Sequence, residues 1–177
     1  TTTLRPGDAD AIRAEIAGIR YLSPGVNLRT QVVAESGNWG TQVQGAGEEF
    51  VDLRSWPLQF GSFFTEQDTA RATRVAVLGS VVRDQLFGAD ADPTGTVIRI
   101  RNQPFRVLRV LTRKGQAAMG QDQDDVVIVP YTAVQKRLLG ITHVQNIWIS
   151  AETGVALDDL STRVAELLRV RHKIDVG

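Results

Sequence analysis

The chain has no cysteine among its 177 residues. That absence excludes a disulfide framework, a cysteine-ligated zinc site and thiol catalysis. Histidine occurs only twice, so histidine catalysis has two candidates, His143 and His172. Net charge is missing as well. Lys and Arg number 20 against 20 Asp and Glu, so no overall field points to DNA, RNA or an acidic membrane. No apolar run approaches the ~20 residues of a membrane span, and no segment has the form of a signal peptide. The opening, TTTLRPGDADAI, reads as a cut made inside a longer protein, and RHKIDVG stops just past a helix in the same way.

What is present is ordinary for a globular domain: 42% apolar and 23% charged residues. The length leaves room for one domain or two small lobes. A chain of this size buries about 70% of the surface that its unfolded form exposes, so a core is expected. No internal repeat and no low-complexity segment interrupts it.

GDADAIRAEIAGI places Ile12, Ile16 and Ile19 at helical spacing, with Asp8 as N-cap. GVNLRTQVVAESGNWGTQVQGAG predicts two strands around a turn at Ser36 to Asn38. A polar and aromatic stretch with Pro57 and Gly61 follows. TEQDTAR then starts a helix, Thr65 capping it with Asp68 three residues on. RVAVLG is a short buried strand, and SVVRDQLFG a helix from a Ser80 cap to a Gly88 stop. TVIRIRNQPFRVLRVL reads as a hairpin turning near Asn102-Gln103, with Ile98 and Ile100 on one face and Arg99 and Arg101 on the other. DVVIVPY is a strand ended by Pro130, and TAVQKRLLG a helix from Thr132 to Gly140. HVQNIWISA is a strand with Ile147 and Ile149 opposite Trp148. In the last helix Leu157, Leu160, Val164, Leu167 and Leu168 form one stripe. Its early acids and late bases both suit the helix dipole.

The order is thus α-β-β, a mixed central block, then β-α. Each terminal piece has a helix but too little sheet to bury its own apolar face. The expected fold class is α+β in two lobes: residues 1–47 plus 141–177 form a discontinuous α/β lobe, and residues 48–140 an inserted smaller α/β lobe.

The chemistry-bearing motifs are weak. The acids Asp122, Asp124 and Asp125 follow a Gly/Gln loop, but a calcium loop counted from Asp122 needs Gly at position six and Glu at twelve, where Val127 and Ala133 stand. A solvated polar loop leading into a strand is the favoured reading. Ser80 lies between a strand and a helix, but Leu78-Gly79-Ser80-Val81-Val82 has neither Gly of the G-x-S-x-G nucleophile elbow in place. Ser80 reads as an N-cap whose loss costs about 1 kcal/mol. His172 sits among Arg171 and Lys173 with Asp175 nearby, which is no ligand set. No phosphate loop occurs. Trp39, placed in a turn, has two readings: an exposed interface anchor, or a lid over its own core.

The stretches GSFFTEQD, RVAVLG, DQLFG, DPTG and KGQAAMGQDQDDVVIVPY, in that order, resemble the periplasmic core domain of MacB-type ABC transporter permeases. LRPGDADAI, GNWGTQVQGAG, HVQNIWISA and LLRVRHKI extend the resemblance over nearly the whole chain. It implies an extracytoplasmic domain between the first two of four membrane helices, with a porter-like discontinuous lobe and an inserted one. It further implies a full-length homodimer, an ATP-binding domain or subunit in the cytoplasm, and in some members a periplasmic adaptor and outer-membrane channel. Function would then be mechanotransmission: ATP hydrolysis below the membrane moves the outer domains to drive export. Two positions depart from the pattern. Arg109 stands where the family usually has Gly, and Met119 adds bulk to the loop.

The expected functional surface is therefore a partner interface. It comprises Trp39 and the loop residues Lys114, Gly115, Gln116, Met119, Gly120, Gln121, Asp122, Gln123 and Asp124, whose amides and carboxylates hydrogen-bond well while Gly lets a partner approach. No catalytic residue, metal or cofactor is expected. The alternative from another class is a stand-alone solute- or ion-binding module.

Overall fold

The computed structural model describes residues 4–54, 63–111 and 124–175, with side chains to residue 172. Helix α1 (Pro6–Glu15) leads into strand β1 (Ile19–Ala34), which pairs with β2 (Gly37–Ala46). Short helices α2 (Phe50–Leu53) and α3 (Glu66–Arg71) precede β3 (Val75–Leu78) and α4 (Ser80–Phe87). The hairpin β4 (Val97–Ile100) and β5 (Gln103–Val110) follows, then β6 (Val126–Pro130). Helix α5 (Tyr131–Ala133) widens at once into a π-type stretch, Val134–Leu139. Strand β7 (Asn146–Ala151) and helix α6 (Leu157–Asp175) close the chain.

The fold is mixed α and β, as expected. Its seven strands run in the order β2-β6-β3-β5-β4-β1-β7, and β2 also pairs with β1. Six strands therefore close into a ring, from β1 through β4, β5, β3, β6 and β2 back to β1. The strands of 48–140 do not form a separate sheet; they complete this ring with β1 and β2. β1 is long enough to serve twice. Gly25 to Ala34 pair with β2, whereas Ile19 to Gly25 pair with β7.

Closure sets the core. One face of every ring strand feeds a single apolar cluster that includes Val26, Val43, Leu78, Ile98, Phe105 and Val127, and α4 adds Val82 and Leu86. A second cluster lies on the opposite face of β3 and β6, with Val75, Val77 and Ile128 beside Phe50, Phe63 and Phe64. Strands covered on both faces read as unbroken apolar runs, which explains VAVL and VVIVP. The hairpin is covered on one face only, so Ile98 and Ile100 are buried and Arg99 is exposed. A third, smaller cluster joins Ala9, Ile12 and Leu22 to Ile147, Ile149, Val164, Leu167 and Leu168, packing α1 and α6 on β7 and the first half of β1.

Several local expectations shift. The N-cap of α1 is Arg5, with Pro6 at the first helical position, not Asp8; the Asp8 carboxylate instead accepts the Arg5 N–H at 2.9 Å. Ile19 belongs to β1, because α1 stops at Glu15 and Gly18 turns the chain at φ +92°. The first hairpin turns at Glu35-Ser36 and the second at Arg101-Asn102, whose φ values of 49° and 67° mark a two-residue turn matched to strand twist. Gly79, not Ser80, caps α4. A Cβ on Gly79 would meet the Asp124 carbonyl oxygen at 2.0 Å, so close approach of two backbones decides that residue. In the last helix Leu157 is 59% exposed and leaves the expected stripe. Thr65 caps α3 as predicted, accepting the Asp68 N–H at 3.2 Å, and Gly88 ends α4. Next to Arg109 the pairing of β5 with β3 slips by one residue, leaving Leu108 as a bulge.

Candidate functional site

Of the expected interface residues, Lys114, Gly115, Gln116, Met119, Gly120, Gln121, Asp122 and Gln123 lie outside the described residues. Trp39 and Asp124 lie within them. Trp39 sits in β2 rather than in a turn, half-buried against the main core. Its indole N–H donates to Asp125 Oδ1 at 2.9 Å. The Thr41 hydroxyl lies 2.7 Å from the same oxygen and 3.1 Å from the Asp125 carbonyl. Asp124 is fully buried, and its carbonyl accepts the Val81 N–H at 3.2 Å. The exit of the Gly/Gln/Asp loop is thus fastened on two sides, to β2 through Asp125 and to α4 through Asp124. Trp39 is part of that fastening. β2 and β6 run parallel from Gln42 and Val126 onward, so register alone brings Thr41 beside Asp125.

The second polar constellation was not legible as a motif. Asp8 is 2% exposed and receives the Arg171 Nε–H at 2.8 Å. His172 Nε2 lies 3.0 Å from the other carboxylate oxygen, Oδ2. Burial alone would raise the Asp8 pKa, but the hydrogen bonds from Arg171, His172 and the Arg5 backbone outweigh it and hold it below the usual carboxylate value. This cluster ties α1 to α6, with an isolated bridge between Leu4 and Val144 beside it. An acid that faces His172 is therefore Asp8, 164 residues away.

A third feature, also missed from sequence, is a cleft of about 380 Å³ between α1, α3 and α5. Its wall carries Asp10, Glu48, Glu49 and Glu66 against one cation, Arg13. Arg13 makes a two-pronged contact with Glu49 at 2.7 Å to each oxygen, and Glu49 also accepts the Leu22 N–H at 3.1 Å. Glu48 accepts the Thr69 hydroxyl at 3.0 Å. Burial, then the nearby charges of Asp10 and Glu48, push the Tyr131 phenol upward, so it stays protonated. These residues come from four separate segments, which is why no spacing announced them. The wall's negative balance favours cations, but among the described residues no group of three His, Cys, Asp or Glu is placed to hold a metal.

None of these constellations pairs a nucleophile with a base. The Ser80 hydroxyl is buried, and no described residue is hydrogen-bonded to it to take its proton. His143 precedes β7, and its carbonyl accepts from Gln135 Nε2 at 2.9 Å.

Comparison with known proteins agrees with the geometry. The family model described as MacB-like periplasmic core domain matches residues 1–167. The macrolide export ATP-binding/permease protein MacB of Bdellovibrio bacteriovorus is 36% identical over 170 residues, covering 96% of this chain and 26% of that protein. The chain thus spans about a quarter of the length of the curated relatives it matches. The crystal structure of the periplasmic region of MacB from Actinobacillus actinomycetemcomitans superposes with a TM-score of 0.83 at 22% identity, over 98% of this chain and 76% of that one. The extracellular domain of the noncanonic ABC-type transporter YknZ from Gram-positive bacteria gives 0.81 at 17% identity, over 97% and 85%. At these identities the two structures show a shared fold.

Proposed function

This chain belongs to the MacB-like periplasmic core domain family and is the periplasmic domain of an ABC transporter permease of the inner membrane; on that premise we propose that it works as a mechanical relay. In the full-length permease it would sit between two membrane helices, with a second protomer beside it and an ATP-binding component in the cytoplasm. ATP hydrolysis below the membrane would move it to drive export. The relatives' description as ATP-binding/permease proteins supports the ATPase component.

One observation carries the relay. β1 is a single strand of 16 residues, roughly 50 Å at 3.3 Å per residue. Its first half is packed under α1 and α6, and its second half is a stave of the ring. Motion imposed on the two terminal helices passes into the ring along one strand. The cluster of Asp8, Arg171 and His172 makes those helices move together. On this reading the two lobes are residues 1–47 with 141–177 and the inserted residues 48–140, whose strands meet in the ring.

The ring's contact with a partner, adaptor or second protomer, is assigned to Trp39 and the loop from Arg113 to Asp125. The described end of that loop is fastened at Asp124 and Asp125, so a load on the loop reaches β2 and α4 directly. Removing Gln116 to Gln121 from the full-length permease tests this. The isolated domain should melt as before and ATP hydrolysis should continue, while export is abolished. Export at the normal rate would refute the reading.

A further inference from the structure

Among the described residues, β7 is the strand with a single neighbour. Each ring strand has at least two, whereas β7 pairs with β1 alone. Its outer edge is open, and the register says which groups stand on it. Gly25 C=O accepts the Gln145 N–H at 2.8 Å, so Gly25 turns its carbonyl toward β7. Its neighbour Pro24 turns the other way and has no N–H. The pair of Pro24 with Ile147 is thus of the non-bonded kind, and alternation makes Leu22 with Ile149 another. In such pairs N–H and C=O point away from the partner strand, so Ile147 and Ile149 present theirs to the open edge. A backbone already uses the start of this edge. Val144 turns opposite to Gln145, and its N–H donates to Leu4 C=O at 3.0 Å in an antiparallel bridge.

The same two residues line an apolar groove. Ile147 and Ile149 form its floor, and Leu157, Ser161, Val164 and Leu168 of α6 form its wall, around a space of about 400 Å³. Those four positions follow one stripe of the helix. Leu157 is exposed because it stands at the groove's lip, and Ile147, Ile149, Val164 and Leu168 are half-buried, each keeping surface for a ligand. β7 is held from its other face, where Trp148 packs on Phe50 with ring centres 5.4 Å apart. An open hydrogen-bonding edge beside an apolar groove fits an extended backbone that is apolar at every second residue. The size fits a short one. Nine residues line the groove, against roughly 20–30 a side in a stable interface between folded proteins, so it suits a segment rather than a second folded copy.

We infer that β7 and α6 form a docking site for a short extended segment of a partner protein, added to the sheet as an antiparallel strand. The residues of that segment opposite Ile147 and Ile149 exchange both backbone hydrogen bonds with them, and their side chains share the face that enters the groove. The residues between them turn their N–H groups to solvent. The site lies at the other end of β1 from Trp39, which is paired with Val32, so its occupancy and the relay role can be tested separately.

The test uses the 177-residue chain and a fluorescein-labelled peptide in which valines alternate with threonines between terminal lysines. Fluorescence anisotropy should show saturable binding, at least fivefold tighter than that of a peptide of the same composition with its valines placed together. N-methylation of the valine amides should abolish binding, whereas N-methylation of the threonine amides should leave it within about twofold. In the ¹⁵N-labelled chain the amides of Ile147 and Ile149 should shift most. Leu157→Lys should weaken binding at least fivefold with an otherwise unchanged amide spectrum, and the methylated peptides give the same reading on the unaltered chain should that variant fold poorly. No saturable binding of the alternating peptide would overturn the assignment. So would full binding of the valine-methylated peptide, or shifts centred away from β7. A chain that sediments as a dimer, and that Leu157→Lys returns to a monomer, would give the groove to a second copy and overturn it equally.

Discussion

The two halves of β1 are held by different chemistry. From Gly25 to Ala34 the strand is part of a closed ring whose interior is apolar, and Val26, Val32 and Phe105 are wholly buried. From Ile19 to Gly25 it lies under two helices whose shared cluster has only three buried apolar residues, the remainder being half-exposed. What the terminal layer lacks in apolar burial it replaces with one buried carboxylate and the Arg171 and His172 side chains that hydrogen-bond to it. Apolar burial is non-directional and indifferent to pH. A charged cluster is directional, fixing how α1 lies on α6, and it responds to acid. The ring is therefore held by non-directional burial, and the terminal layer by a directional contact that keeps one alignment between its two helices.

The largest effect should come from breaking the ring. Phe105 is 0% exposed and packs among strands from both ends of the chain. Phe105→Ala should cost about 3–5 kcal/mol. Because every ring strand contributes to that cluster, amide exchange should accelerate throughout the chain. Acceleration confined to β5 would mean that the ring is not one cooperative unit.

A smaller and more local loss should follow Asp8→Asn, about 2 kcal/mol for hydrogen bonds to a charged group. Exchange should quicken in α1 and α6 while β3 and β6 keep their protection. The same residue sets the response to acid. Its folded-state pKa lies below the unfolded value of 3.8, since the cationic partners outweigh burial. Its contribution is thus complete above that value and is lost as pH falls through the lowered one. Urea midpoints measured from pH 6 down to 2 should show the wild-type advantage over Asp8→Asn shrinking only at the acid end. A gap that stays constant over that range would assign the stabilisation to packing instead.

Local structure was largely readable from the residues, and long-range structure much less so. VAVL announced a buried strand, VVIVP a strand, alternation announced the Ile98 and Ile100 face, and Thr65 with Asp68 announced a helix start. Each depends on neighbours within a few positions. Ring closure does not, because nothing near Gln42 records that Val126 will lie beside it in parallel register. Cap positions failed for a related reason. At Gly79 the deciding contact is the Asp124 backbone, 45 positions on, and at Asp8 it is Arg171 and His172. The candidate sites follow the same division. Ile147 and Ile149 were legible as one face of a strand, but the open edge on which they stand is set by which strands find partners. The acidic cleft draws on segments that share no motif at all.

The smallest expected effect sharpens the contrast from the ring's side. Read as an N-cap, Ser80 would lose about 1 kcal/mol on conversion to alanine. In the fold it is the first residue inside α4, and its hydroxyl is buried without a partner. A hydroxyl in that position is a desolvated group with no compensating bond, so removing it relieves a cost while forfeiting only one small atom's contacts. Ser80→Ala should therefore leave the urea midpoint unchanged or raise it, within about 0.5 kcal/mol. A loss near 1 kcal/mol would mean that Ser80 Oγ does accept a helix N–H, and that polar contacts hold the ring at this point as they hold the terminal layer.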